Sequence, residues 1–561
     1  MQNTTTYDAI VVGSGITGGW AAKELTEKGL KTLVLERGRK LEHVKDYTTA
    51  NTPVWELPHR NQPTQEDRET YPIQSTVYAF NEGTKHLWIK DKEHPYSTPK
   101  DKPFNWIRGN HVGGRSLMWG RQTYRWSDLD FEANAKDGHG IDWPIRYKDI
   151  APWYSYVEKY IGISGKAENL PQLPDSEFLP PFGMNCAEER LKTGIESKFP
   201  KRTLTNARIA NLSVAHNGRS ACQRRNLCYR GCPYGAYFSS QSSTLPAAAA
   251  TGNMTLMPDS MVESILYDND KGRATGVRVI DANTKEVTEY KAKIIFLCAS
   301  TLGSTQLMMQ STSSRFPNGF ANGSGVLGHY LMDHLFGLLS FADFEGDEDK
   351  YYKGQRPGGF YIPRFRNVWD KHPDFVRGYG FQGGGSRGGW NRGNNQPGIG
   401  ADFKKSLLEP APWGIAMYGF GEILPYKENK IELNTDQKDI YGLPTLHISA
   451  KKEANEAAMR KDIFATAAEM LEAAGGKNIF QLDRKDPMGS GIHEMGTARM
   501  GKDPKTSVLN RWNQCHEVPN VFVTDGSCMT SGSCVNPSLT YMALTARAVD
   551  YAVKELNRRN I

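Results

Sequence analysis

The sequence has no apolar run approaching the ~18 residues that a membrane-spanning helix needs, so it offers no candidate span. It has no block of five or more basic residues. Its 69 Lys and Arg are scattered against 62 Asp and Glu, for a net charge of +7. Nucleic-acid binding would need that charge gathered into a stripe or patch, so nucleic acid is not an expected partner. There is no internal repeat and no flexible inter-domain linker. The start, MQNTTTYDAIVVG, has neither a basic n-region nor an apolar h-region, so the chain shows no export signal of its own. The expected compartment is the cytoplasm, or the periplasm by co-export with a signal-bearing partner. Cysteine is scarce, with eight residues in 561, too few for a disulfide scaffold. Their spread is uneven, and three fall within eleven residues at Cys222, Cys228 and Cys232.

What is present is a globular composition, 38% hydrophobic and 23% charged, in a chain too long for one simple core. Two closely joined domains are the expectation. The first is announced at once. Tyr7 to Val12 reads as an apolar strand, Gly13-Ser-Gly15-Ile-Thr-Gly18 as a tight turn, Trp20 to Lys28 as a helix, and Leu33 to Leu35 as a second strand ending at Glu36. This is a βαβ unit with G-x-G-x-x-G at the turn and an acid about twenty residues on. The glycines let backbone approach a pyrophosphate at a helix N-terminus, and Glu36 is placed for a ribose hydroxyl pair. The motif alone does not choose between NAD and FAD.

Further along, residues 46–103 are polar and rich in Pro and Tyr, and read as an excursion over the surface. The run Asn105 to Gly120 pairs Gly113 and Gly114 among aromatics, which suggests backbone lying close to a flat ring system, with a tight turn packed by tryptophans as the alternative; His111 within it reads as a structural histidine. Tyr147 to Tyr160 reads as a capped helix. Strands are expected at 253–257, 262–267, 275–280, 287–291 and 294–300, with a helix from Leu302 to Gln310. Residues 311–488 change to glycine, aromatics and polar alternation, as in Trp413–Phe420 and Lys430–Asn434, which suggests an antiparallel sheet. The stretch from Arg377 to Gly400, with Tyr379, Phe381 and Trp390 among many glycines, reads as a long loop, either over a pocket or plain surface. Glu453 to Ala474 is an amphipathic helix.

The three clustered cysteines have the spacing C-x5-C-x3-C-P. Three thiolates so close suit an iron–sulfur cluster, and a proline after the last cysteine is common in such loops. Zinc, which usually wants a fourth ligand, and a disulfide with a free thiol are the alternatives. The last seventy residues hold a histidine, His493, in GSGIHEMGTARMG, and an asparagine, Asn536, before a proline at an apparent helix start. Between them a short strand, Val521 to Val523, leads to Asp525-Gly526.

Taken together and in order, GSGITGG…VLERG, HVGGRSLMWG, GHYLMDH at 328–334, HEMGTARMG and CVNPSLTYMAL identify the chain as resembling the glucose–methanol–choline (GMC) oxidoreductases. The likeness is strongest to the branch with pyranose oxidase, gluconate 2-dehydrogenase and bacterial FAD-dependent glucose and glucoside dehydrogenases. The resemblance implies an α/β fold in which a Rossmann-like FAD-binding domain (1–45, 104–130, 205–310 and 489–561, with the cysteine loop 221–236) interleaves with an α+β substrate domain on an antiparallel sheet (46–103, 131–204 and 311–488). It implies His493 as base and Asn536 as its partner. It implies cofactor contacts from Gly13, Gly15, Gly18, Glu36, Arg37, Gly113, Gly114, Ser116, Met118, Val262, Ala299, Asp525, Gly526, Asn536, Pro537 and Ser538. Met118 stands where pyranose oxidase carries a flavin-linking histidine, so FAD is expected to be non-covalent. The cysteine loop resembles that of three-iron (3Fe-4S) catalytic subunits of bacterial FAD glucose dehydrogenases, although those have a doubled first cysteine and this chain has Cys222 alone. Such subunits work with a small signal-bearing partner and a cytochrome. The expected reaction is oxidation of a sugar hydroxyl, first choice the 3-hydroxyl of a glucoside, with electrons passed through the cluster to an acceptor other than oxygen; free glucose, gluconate or another polyol is the runner-up substrate, and a pyranose-oxidase-like sugar oxidase using oxygen is the alternative. His493 takes the hydroxyl proton, Asn536 holds the oxygen, and hydride passes to flavin N5.

Overall fold

The computed structural model describes residues 6–350, 357–389, 392–393 and 396–561. Trp390, singled out above, lies outside them.

A seven-stranded sheet forms one half of the molecule. Its parallel part runs Met254–Met257, Thr32–Leu35, Thr6–Val12, Val287–Leu297, with Val521–Val523 also parallel to Val287–Leu297. Arg273–Asp281 and Ser260–Asp268 continue it antiparallel. Ala9, Ile10, Val11, Leu33 and Val34 are wholly buried, as unbroken apolar strands covered on both faces should be. The helices Ile16–Glu27 and Ser538–Asn557 pack together against this sheet, and Trp20 is fully enclosed. The register matters for function: Val12 pairs with both Leu35 and Leu297, and Leu297 with Val523. Four strands therefore end level, and Gly13, Glu36, Ala299 and Asp525 follow at one carboxyl edge, where open α/β sheets bind ligands.

The second sheet is antiparallel and six-stranded, in the order Lys477–Asp483, His334–Phe344, Trp413–Glu422, Tyr379–Arg387, Phe360–Ile362, Thr205–Asn206. The helices Cys186–Lys198 and Ala454–Ala473 pack on it. Lys430–Lys438 and Pro444–Ser449 form a separate two-stranded ribbon.

The structure corrects four expectations. The glycine-rich run from 377 is not simply a loop, because Tyr379–Arg387 is an interior strand of the six-stranded sheet. Its glycines serve close packing: a Cβ on Gly383 would stand 2.3 Å from the Ala416 carbonyl oxygen and 2.4 Å from the Phe360 ring. The two strands read at 287–291 and 294–300 are one, Val287–Leu297. Residues 205–206, grouped above with the cofactor-binding segments, pair with the antiparallel sheet. Residues 46–103 are more than a surface excursion, since Tyr47, Ala50, Tyr71, Phe80, Leu87 and Trp88 pack into a buried cluster with Ile107, Leu117 and Met118.

Candidate active site

At the carboxyl edge of the first sheet a cavity of about 960 Å³ opens between the two sheets. Gly13 turns with φ +96°, and a Cβ there would strike the Cys298 carbonyl oxygen at 2.5 Å; a Cβ on Gly18 would strike the Gly13 carbonyl at 1.9 Å. Gly15 differs, because a Cβ on it would meet nothing within 4 Å and would project into the cavity. Gly15 also caps the twelve-residue helix Ile16–Glu27 without a side-chain hydrogen bond, leaving first-turn N–H groups free of side-chain acceptors. Ser14 ties the site together. Its hydroxyl donates to Glu36 Oε2 at 2.7 Å and accepts the Gly113 N–H at 2.8 Å. Gly38 N–H holds the other Glu36 oxygen at 2.9 Å. An open glycine, an uncapped helix start and a fixed carboxylate fit a dinucleotide diphosphate and its ribose.

Arg37, Gly114, Ser116, Met118, Val262, Ala299, Asp525, Gly526, Asn536 and Ser538 line the same cavity. Gly18, Gly113 and Pro537 do not; they support the turns beneath it, and Pro537 is the N-cap of Ser538–Asn557. Asp525 accepts hydrogen bonds from Ser304 and from Ser527, and its burial raises its pKa. His111 is buried off the cavity, with Nδ1 2.8 Å from the Val112 carbonyl.

His493 and Asn536 both face this cavity. The loop carrying His493 is strung on Asp333, whose carboxylate accepts the N–H groups of Gly489, Gly491 and His493 at 2.8, 3.0 and 3.1 Å. Burial, with Glu494 adding, pushes the Asp333 pKa up to about 6 against these hydrogen bonds. His493 Nδ1 lies 2.9 Å from His334 Nδ1. Burial drives the His493 pKa well below its ordinary value, and His334 and Arg115 push the same way. Arg115 is itself paired two-pronged with Glu494, at 2.8 and 3.2 Å. Asn536 Oδ1 accepts from Gln382 Nε2 at 2.5 Å, which leaves the Asn536 amide donors for the cavity.

Reasoning from sequence passed over Ser14, Arg115, Asp333, His334 and Gln382 as site residues. Asp333 and His334 end the GHYLMDH block, so their signal was in view without a role attached.

All eight cysteines are free thiols, which leaves the disulfide alternative without a bond. Cys222 and Cys228 line the large cavity, and with Cys232 they ring a smaller one of about 30 Å³. Among the described residues no three His, Cys, Asp or Glu side chains are arranged to hold a metal ion. That holds for the expected 3Fe-4S cluster as well as for the zinc alternative. Backbone N–H groups of Arg224, Tyr234 and Ala236 point at the Cys222 and Cys232 sulfurs, a setting that favours thiolate, while burial raises both pKa values.

Comparison with known proteins agrees with this geometry. Two family models described as GMC oxidoreductase match residues 7–336 and 425–545. The 2-methyl-1,2-propanediol dehydrogenase of Mycolicibacterium austroafricanum is 30% identical, over 97% of this chain and 94% of that one. The fructose dehydrogenase large subunit of Gluconobacter japonicus is 25% identical, over 99% of each. Among solved structures, formate oxidase of Aspergillus oryzae RIB40 shares the fold with a TM-score of 0.61 at 12% identity, covering 100% of both chains. Family membership implies FAD as the dinucleotide. The chain belongs to the GMC oxidoreductase family, as an enzyme acting on CH–OH groups.

Proposed function

We propose that the protein is an FAD-dependent sugar dehydrogenase that oxidises a secondary hydroxyl of a sugar or glycoside, first choice C3 of a glucoside, to a keto sugar. The observation that supports the chemistry is that a buried histidine held neutral and an amide whose oxygen is already engaged by Gln382 line the same cavity. His493 takes the hydroxyl proton. Asn536 donates a hydrogen bond to the same oxygen as negative charge develops on it. Gln382 holds the Asn536 amide in that orientation. FAD, when bound without covalent attachment beside Met118, supplies the hydride acceptor.

Cys222, Cys228 and Cys232 would hold a 3Fe-4S cluster that relays electrons to an acceptor other than oxygen. In such a cluster each iron takes its own cysteine, so the sulfurs surround a cavity and need not converge on one ion. What supports this is their common small cavity and the contact of Cys222 and Cys228 with the larger one. The relative named a large subunit works, by that name, with other subunits. By analogy a small signal-bearing subunit and a cytochrome belong to this reading, with export alongside that subunit.

A second reading, a small polyol or 1,2-diol as substrate, draws on the 30% identity to a diol dehydrogenase. One experiment decides between them. The purified flavoprotein is mixed anaerobically with glucosides, free sugars, gluconate and 1,2-diols, flavin bleaching is timed, and the oxidised carbon of the product is assigned. Fast bleaching by glucosides with 3-keto products is expected. Bleaching by diols alone would replace the first reading with the second, and rapid turnover with oxygen as sole acceptor would remove the dehydrogenase assignment.

A further inference from the structure

The hydrogen bonds around His493 determine which of its nitrogens carries the proton. His334 Nε2 lies 3.2 Å from the carbonyl oxygen of Gly532. A carbonyl oxygen only accepts, so His334 Nε2 bears a hydrogen. The His334 ring is neutral at working pH because burial pushes its pKa down to about 4. A neutral imidazole protonated at Nε2 has a bare Nδ1 that can only accept. That bare nitrogen stands 2.9 Å from His493 Nδ1, with the two rings at 75°. Two lone pairs cannot make this contact, so His493 Nδ1 carries the hydrogen and donates it. His493 is also neutral, which leaves its Nε2 with a free lone pair. Among the described residues His493 Nε2 has no hydrogen-bond partner, and the residue faces the cavity.

We propose that His334 is a positioning residue that holds His493 in the Nδ1–H tautomer and so presents Nε2 to the substrate hydroxyl as the proton-accepting atom. Free histidine leans toward the opposite tautomer, which would present an N–H where a lone pair is required. The neighbouring Asp333 fixes the loop backbone at the same time, through the N–H of His493 itself. Two consecutive residues thus set the place and the protonation of one side chain. The proposal rests on the reading of His493 as base.

The test uses the FAD-loaded protein. Nitrogen-15 NMR of histidine-labelled wild type is expected to show His493 protonated at Nδ1 and bare at Nε2; a protonated Nε2 overturns the proposal. In parallel, anaerobic flavin reduction by substrate is timed in His334→Phe, which keeps a flat ring but cannot accept, and in His334→Asn, whose amide oxygen can. The Phe variant is expected to be slower by roughly 10²- to 10⁴-fold, the range of a misplaced or wrongly protonated base, with apparent substrate affinity little changed. The Asn variant is expected to regain at least about tenfold of that loss. A folded, FAD-loaded Phe variant reducing at the wild-type rate overturns the proposal. His493→Ala separates the two levels of inference. If it too keeps the wild-type rate, the assignment of the base has failed; if it is slow while His334→Phe is fast, only the positioning role has failed. Should the Phe variant not fold, the wild-type NMR result decides alone.

Discussion

Gln382 donates from Nε2 to the Oδ1 of Asn536 at 2.5 Å, and this bond decides which end of the Asn536 amide is left for the cavity. With Oδ1 engaged, Nδ2 and its hydrogens are left for the cavity. Replacing Gln382 by Glu gives a partner that only accepts when ionised, which turns the amide and presents Oδ1 to the developing alkoxide. Gln382→Glu is therefore expected to slow flavin reduction by about 10²- to 10³-fold, the range seen when one oxyanion donor is lost. Gln382→Leu, which leaves the amide free to rotate, should cost about tenfold, in line with about 1–2 kcal/mol for one hydrogen bond. Stopped-flow reduction under anaerobic conditions ranks the two, and Leu slower than Glu would contradict the orientation argument.

With His493 as the proposed base, its depressed pKa is expected to set the acid side of the pH profile. A base must be neutral to work. Its activity is complete above the folded-state pKa and is lost as pH falls through it. Because burial, His334 and Arg115 hold that pKa well below the ordinary 6.5, kcat/KM should stay level from pH 7.5 to below 6.5. A profile that already halves at pH 6.5 would assign the limb to a group in an ordinary environment.

Gly15 offers a test of the cofactor cradle that leaves the fold intact. Its φ is −65° and a Cβ meets no atom within 4 Å, so Gly15→Ala is accommodated by the chain while its methyl enters the space over the helix start. The variant is expected to purify with native-like circular dichroism and at least tenfold weaker FAD affinity, as about 1.4 kcal/mol of lost contact would give. Titration of the apoprotein with FAD measures it.

Iron and labile sulfide in anaerobically purified protein should reach the proportion of a three-iron cluster, and Cys228→Ser should lower both. Less than one iron per chain in the wild type would leave the cysteine loop without its relay role. In either case acid precipitation should release all the flavin into the supernatant, since Met118 offers no linking nitrogen.

The N-terminal βαβ unit was legible because its signals are local: strand, glycine turn, helix and acid lie within thirty residues. That His493 and Asn536 would line one cavity was legible through the short motifs around them. What supports them was not, because the hydrogen bonds from the His493 loop to Asp333 and His334 join residues about 160 apart in sequence. The strand Tyr379–Arg387 was hidden by its own glycines, which read as loop until the Ala416 backbone and Phe360 ring are seen against them. The cluster of Tyr71, Phe80 and Trp88 escaped for a related reason. Its apolar residues sit in irregular turns, so they repeat with neither the strand nor the helix period.

His334 opens one strand of the antiparallel sheet and Gln382 lies within another, whereas His493 and Asn536 lie on the C-terminal segments around the strand Val521–Val523. For protein engineering this means that the sheet is not a neutral cassette. A chimera that imports it from a relative to change substrate preference imports new neighbours for His493 and Asn536, the two side chains proposed to act on the substrate. Grafts that keep His334 and Gln382 should retain turnover, and grafts that do not would lose activity for reasons unrelated to how well the new substrate fits.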